Sequence, residues 1–143
     1  MDQVSQAFQI KENYVRIEHI AIWTKNLERL KHFYETYFQV AAGSKYKNPE
    51  KGFESYFLTF QSGARLELMY SSSLLDAEND QQSLHSGYAH LAISVGSKED
   101  VELLTQELER DGYQRLNGPR YTGDGYYESV FLDPDGNRIE ITI

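Results

Sequence analysis

The chain has 143 residues, 40% hydrophobic and 25% charged, a length and balance that suit one globular domain with a single core. Its formal net charge of −8 argues against a nucleic-acid or anionic-membrane surface, since both need clustered Lys and Arg. With no cysteine there is no disulfide framework, and any metal must be held by His, Asp or Glu.

The opening stretch, MDQVSQAFQIKENY, has neither a basic n-region nor an apolar h-region, so no secretory signal is expected. No run of about 18 apolar residues occurs that could span a membrane. Residues 1–14 read as a polar extension, and the protein is expected in the cytoplasm. The domain proper covers 15–143, as modules 15–72 and 87–143.

Residues 15–24, VRIEHIAIWT, predict a strand with Ile17, His19, Ala21 and Trp23 on one face. Asn26 can cap a helix whose apolar stripe is Leu27, Leu30, Tyr34, Tyr37 and Phe38. A further strand has room around 41–47, and 45–52, with Asn48-Pro49 and a glycine, reads as a loop. Strands follow at 53–60 and 64–70, joined by Gln61-Ser62-Gly63. The serine-rich, acidic stretch SSSLLDAENDQQSLHSG shows no periodicity and is read as a linker.

The order then repeats. Residues 88–95, YAHLAISV, predict a strand. Ser97 with Asp100 starts a helix carrying Val101, Leu104 and Leu108 inward and stopping at Gly112. A short strand has room at 114–116, and the Gly/Pro-broken stretch NGPRYTGDG reads as a loop. A strand at 126–132 and the turn Asp133-Pro134-Asp135-Gly136 lead to the last strand, 137–143. The chain is therefore α+β, with a βαβββ unit written twice.

Three correspondences support the duplication. FESYFL (53–58) matches YESVFL (127–132), EHIAI (18–22) matches AHLAI (89–93), and RLELM (65–69) matches RIEIT (138–142). They place His19 against His90 and Glu67 against Glu140, so each half carries one His in its first strand and one Glu in its last. Singly, a strand His is an ordinary polar side chain. Glu67 and Glu140, alternating with Leu and Ile, read singly as the wet face of a half-buried strand. Together, two imidazoles and two carboxylates supply four N/O donors, a set suited to Zn or Ni first, or to Co, Mn or Fe. A pseudo-twofold between duplicated halves would bring equivalent positions together. The hexapeptide itself offers Glu54 and Glu128 as secondary carboxylates.

At HIAI, RLELM, GYAHLAISV and DPDGNRIEI the sequence resembles the vicinal oxygen chelate superfamily, over residues 15–143. The superfamily includes glyoxalase I, fosfomycin-resistance proteins, extradiol dioxygenases, methylmalonyl-CoA epimerase and bleomycin-resistance proteins. The resemblance implies two tandem βαβββ modules forming a curled mixed sheet around a metal-binding cleft, with His19, Glu67, His90 and Glu140 as ligands. A carboxylate at Glu67 resembles glyoxalase I most; the epimerase has Gln there, and the fosfomycin proteins and dioxygenases do not use that position as a ligand. The chain looks closer still to short glyoxalase-like proteins.

The implied activity is that of a divalent-metal-dependent lyase or isomerase acting through an enediolate on a small α-oxo or hemithioacetal substrate. A metal-bound carboxylate can move off the ion and shuttle the proton. Glu140 or Glu67 would be that base, with Glu140 favoured. Thiol transfer, oxygenation, epimerisation and non-catalytic ligand binding are the alternatives; the chain's 11 Tyr and 7 Phe keep the last in play. Alternation puts Arg65, Met69 and Arg138 on the face of the two Glu, where the two Arg suit either a substrate anion or a salt bridge. Arg120, Tyr121, Tyr126 and Tyr127 lie in or beside the Gly-punctuated stretch and could wall a pocket, or the tyrosines could simply pack. His32 reads as an exposed helix residue, and His85 lies in the linker. The expected partners are a small molecule, possibly a thiol adduct, and a second copy of the chain in a homodimer. Each site could form within one chain or between two.

Overall fold

The computed structural model describes residues 15–76 and 84–143. The expected polar extension and the middle of the expected linker lie outside the described residues. The first module comprises β1 (His19–Trp23), α1 (Leu27–Phe38), β2 (Ala41–Ala42), β3 (Tyr46–Asn48), β4 (Phe53–Thr59) and β5 (Arg65–Ser71). The second comprises β6 (Leu91–Ser94), α2 (Lys98–Arg110), β7 (Arg115–Tyr121), β8 (Tyr127–Leu132) and β9 (Arg138–Thr142).

Both helices start where the capping chemistry places them. Asn26 Oδ1 accepts the Arg29 N–H at 3.0 Å, and Ser97 Oγ accepts the Asp100 N–H at 3.1 Å. α1 buries Leu27, Leu30, Phe33 and Tyr34, so Phe33 joins the expected stripe while Tyr37 and Phe38 are only half-buried. α2 buries Val101, Thr105 and Leu108 and ends just before Gly112, which takes φ 91°.

The strands form one sheet per module. The first has the order β1-β5-β4-β2 with β3 also on β4, and the second has the order β6-β9-β8-β7. In each, the first strand runs parallel to the last and the other pairings are antiparallel. The α+β architecture of two βαβββ modules is as expected, with two mixed sheets in place of one. β1 and β6 are both edges.

The third strands depart from expectation. In module one the strand is split around Gly43-Ser44-Lys45, and β3 occupies part of the expected loop. In module two β7 runs through Asn117-Gly118-Pro119, also expected as loop. An edge strand tolerates Pro because its outer N–H needs no partner. The β7–β8 register shifts on both sides of Asn117, a bulge that Gly118 permits with φ 78°. A Cβ there would lie 2.3 Å from the Glu128 carbonyl oxygen.

Each helix covers one face of its sheet, Leu58, Leu66 and Leu68 lying under α1 and Phe131, Ile139 and Ile141 under α2; all six are buried. The two cores join through α1. Phe33 packs on Tyr113 with ring centroids 4.9 Å apart, and the Tyr34 hydroxyl donates to Asp133 at 2.9 Å. Tyr37 donates to Asp111 and Arg29 to Asp135, both at 2.6 Å. The helix sides of the modules are thus fastened together, leaving the opposite sheet faces open.

The repeated hexapeptide does not mark the structural register. Glu67 pairs with Phe57, whereas Glu140 pairs with Val130, so Val130 is the counterpart of Phe57 and the match of FESYFL to YESVFL is out by one residue. A one-residue offset reverses every side chain. Glu54 therefore shares the helix-side face with Tyr70 and lies 3.4 Å from Lys45. Glu128 shares the open face with Thr142 and Glu140, and its counterpart in module one is Ser55.

Candidate metal centre

In module one the parallel β1–β5 register sets His19 beside Arg65, Ala21 beside Glu67 and Trp23 beside Met69, all on the open face. His19 Nε2 lies 3.7 Å from Glu67 Oε1. The other ring nitrogen, Nδ1, is 2.6 Å from Glu18 Oε2. Glu18 Oε1 in turn accepts the Arg65 Nε–H at 2.9 Å as well as an Nη2–H. The His19 and Arg65 hydrogen bonds hold the Glu18 carboxyl below its ordinary value, His19 contributing most. Phe57 meets the His19 ring edge-on at 5.3 Å and lies under the Arg65 guanidinium at 4.2 Å.

In module two, Ala92 lies beside Glu140 across β6 and β9, and His90 Nε2 is 3.2 Å from Glu140 Oε2. Glu128 is buried next to this pair, and burial followed by the nearby Glu140 carboxylate pushes its carboxyl up. Arg120, its cross-strand neighbour, works in the opposite direction.

These spacings suit a shared cation. Two donors each 2.0–2.2 Å from a zinc ion, at angles between 90° and tetrahedral, stand roughly 2.8–3.6 Å apart. The second pair falls in that range and the first just above it. Glu67 and Glu140 are not the wet-face carboxylates that alternation alone implies, since their side chains keep 14% and 19% exposure. The donor set therefore fits a divalent ion held by imidazole nitrogen and carboxylate oxygen.

One chain brings the four ligand candidates together as two pairs, not as a quartet. Among the described residues no group of three or more His, Asp or Glu is placed to hold a metal. A cleft of about 740 Å³ between the modules, lined by Tyr37, Phe38, Phe60, Leu91 and Leu104 among others, includes none of the four.

The expected substrate contacts divide by face. Arg65, Met69, Arg120 and Arg138 lie on the open face; β-sheet parity puts Arg138 with Glu140 and Arg120 with Glu128. Tyr127 and Tyr121 do not. They pair with each other on the helix side, where Lys98 lies over both rings and the Tyr127 hydroxyl donates to Glu102 of α2 at 2.7 Å. Parity counted from Glu140 sends Tyr127 to the core, which is the packing alternative for that tyrosine. Tyr126 and His85 are exposed, and so is His32, which faces Thr36 on the same helix. Two features escaped the sequence reading. One is the Glu18 contact to His19, which the adjacency E-H hints at. The other is an open-face aromatic row in which Phe53 contacts both Trp23 and Tyr46, at 6.2 and 6.0 Å.

A duplicated βαβββ fold with one His/Glu pair on the same face of each module defines a class of paired-module scaffolds. The chain belongs to the Glyoxalase/Bleomycin resistance protein/Dioxygenase superfamily, whose sequence profile matches residues 16–141. It is 23% identical over 128 residues to the uncharacterized protein YqjT of Bacillus subtilis (strain 168), covering 87% of this chain and 96% of that one. Among solved structures it resembles the trypanothione-dependent glyoxalase I of Leishmania major, with TM-score 0.71, 24% identity and coverage of 90% and 86% of the two chains. A glyoxalase family protein from Enterococcus faecalis matches at TM-score 0.71 and 25% identity, covering 91% of this chain and 98% of that one. Among the described residues no helix is long and apolar enough to cross a membrane.

Proposed function

We propose that this protein is a divalent-metal-dependent lyase or isomerase of glyoxalase I type, acting on a small α-oxo compound or its hemithioacetal. The observation that carries this reading is the pair of matched His Nε2–Glu carboxylate contacts, 3.7 and 3.2 Å long, at equivalent positions of the two modules. His19 and Glu67 would hold the ion from one side and His90 and Glu140 from the other. Since the helix sides of the two modules are joined within a chain, each complete site is proposed to form between two chains of a homodimer. The edge strands β1 and β6 give such a partner unsatisfied backbone to cover.

A bound divalent ion would supply Lewis-acid stabilisation of the charge that develops when a C–H beside a carbonyl loses its proton. Glu140 would take that proton and return it to the neighbouring carbon. Glu128 lies beside Glu140, and burial followed by the Glu140 charge pushes its carboxyl up; when protonated it can donate a hydrogen bond to the Glu140 carboxylate. Arg120 and Arg138, on the same face, offer charge to an anionic substrate arm.

The direct test is elemental analysis of protein purified without a metal-binding tag, followed by an assay for thioester formation from methylglyoxal with glutathione or another low-molecular-weight thiol. Metal uptake with thioester formation supports the reading; less than about one ion per two chains after reconstitution refutes it. The aromatic row of Trp23, Phe53 and Tyr46 favours a second reading, a ligand-binding protein. That reading requires tight binding of an aromatic ligand to be unaffected by chelators.

A further inference from the structure

We propose that Glu18 is a positioning residue that fixes the His19 tautomer for metal binding, and that Arg65 is its anchor instead of a substrate contact. This rests on the reading of His19 and Glu67 as ligands. An ionised carboxylate only accepts hydrogen bonds, so Glu18 Oε2 at 2.6 Å requires the imidazole to present its N–H at Nδ1. A neutral imidazole has one such proton. The lone pair is therefore left on Nε2, which points toward Glu67 at a distance too long for a hydrogen bond.

The carboxylate is itself held. Its second oxygen receives two Arg65 N–H groups, and the Arg65 guanidinium lies over Phe57, the ring that also packs edge-on against His19. Glu18, His19, Arg65 and Phe57 thus form a closed cluster in which each member restrains another. Carboxylate support of a ligating imidazole raises its basicity and fixes its ring plane.

The repeat supplies an internal comparison. In module two the counterpart of Glu18 is Ala89, which has no acceptor to offer His90, and the counterpart of Phe57 is Val130. Arg138 matches Arg65 in sequence but meets no carboxylate at position 89. The cluster is a property of module one alone, so the two halves of the site are held unequally. With Arg65 committed to Glu18, Arg120 and Arg138 remain as the open-face cations for a substrate anion.

The test uses the whole protein with Glu18→Ala and Glu18→Gln, the latter keeping an acceptor oxygen. Ring ¹⁵N shifts of His19 in metal-free protein report the tautomer, and competition with a chromogenic chelator reports zinc affinity. Wild type should carry the proton on Nδ1, Glu18→Ala should lose that preference, and the His90 shifts should stay in place. Zinc affinity should fall about 10- to 100-fold in Glu18→Ala and less in Glu18→Gln. His19 shifts in Glu18→Ala that superimpose on wild type, or zinc affinity unchanged within about twofold, overturn the proposal. If wild type itself takes up no metal, the metal-centre reading fails, and the metal-free tautomer measurement alone decides the role of Glu18.

Discussion

Tyr34→Phe deletes one oxygen from the junction between the modules and should weaken the fold measurably. Tyr34 is 0% exposed and Asp133 4% exposed, and the hydroxyl donates to Asp133 Oδ2 at 2.9 Å. Asp133 also organises the β8–β9 turn, its Oδ1 accepting the N–H groups of Asp135 and Asn137, both at 2.9 Å. After the substitution Oδ2 keeps only the Asn137 Nδ2 donor, also at 2.9 Å. A hydrogen bond to a charged group contributes about 1.5–3 kcal/mol, and the surviving donor limits the cost of a buried carboxylate oxygen. For a chain of this size that loss lowers Tm by roughly 5–10 °C. Burial, then the charge of Asp133, pushes the Tyr34 hydroxyl well up, so it stays a donor and the effect should persist from neutral to mildly alkaline pH. Urea denaturation of metal-free protein reads the change as a lower midpoint at unchanged slope. A loss below about 0.5 kcal/mol, the scatter of ordinary surface substitutions, would refute the claim that this contact helps lock the modules.

Glu140→Gln should abolish thioester formation while only weakening metal binding, by about 10- to 100-fold in a chelator competition; unchanged turnover removes Glu140 from the chemistry. Glu128→Gln tests the buried carboxyl by pH. A carboxyl pushed up on folding binds its proton more tightly in the folded state, so its ionisation costs stability as pH rises through the carboxylate range. Metal-free Glu128→Gln should therefore melt above wild type at alkaline pH, with the gap closing toward acid; a gap that widens toward acid contradicts the assignment. Gly118→Ala forces a Cβ to within 2.3 Å of the Glu128 carbonyl oxygen at a positive φ. It should cost about 2 kcal/mol or more in denaturant titration, whereas a neutral effect means β7 can shift without loss.

The sequence carried the helices well because they rest on local rules, and the internal repeat pointed to the two His/Glu contacts. Asn26 and Ser97 announce their helices by capping; His19, Glu67 and Glu140 sit in strands whose alternation is clean, and His90 immediately precedes β6. Where it misled, the cause was register or edge chemistry. FESYFL and YESVFL share letters, yet the pairing of Glu67 with Phe57 and of Glu140 with Val130 shows that the letters slipped by one and so face opposite sides. That slip made Glu54 and Glu128 look equivalent, although they lie on opposite faces of their sheets. Gly118-Pro119 read as a loop because pattern alone does not reveal that β7 is an edge. The Glu18–His19–Arg65 contacts depend on β1 lying beside β5, a parallel neighbour relation that no local signal encodes.

The central claim is that one metal site is completed by His19 and Glu67 of one chain with His90 and Glu140 of another. A mixed dimer of His19→Ala and His90→Ala chains tests it most directly, because a site shared between chains leaves one complete ligand set per mixed dimer. Each parent homodimer should bind metal much more weakly than wild type, whereas the purified mixed dimer should hold about one ion with wild-type affinity. A mixed dimer that holds metal no better than its parents would contradict the shared site.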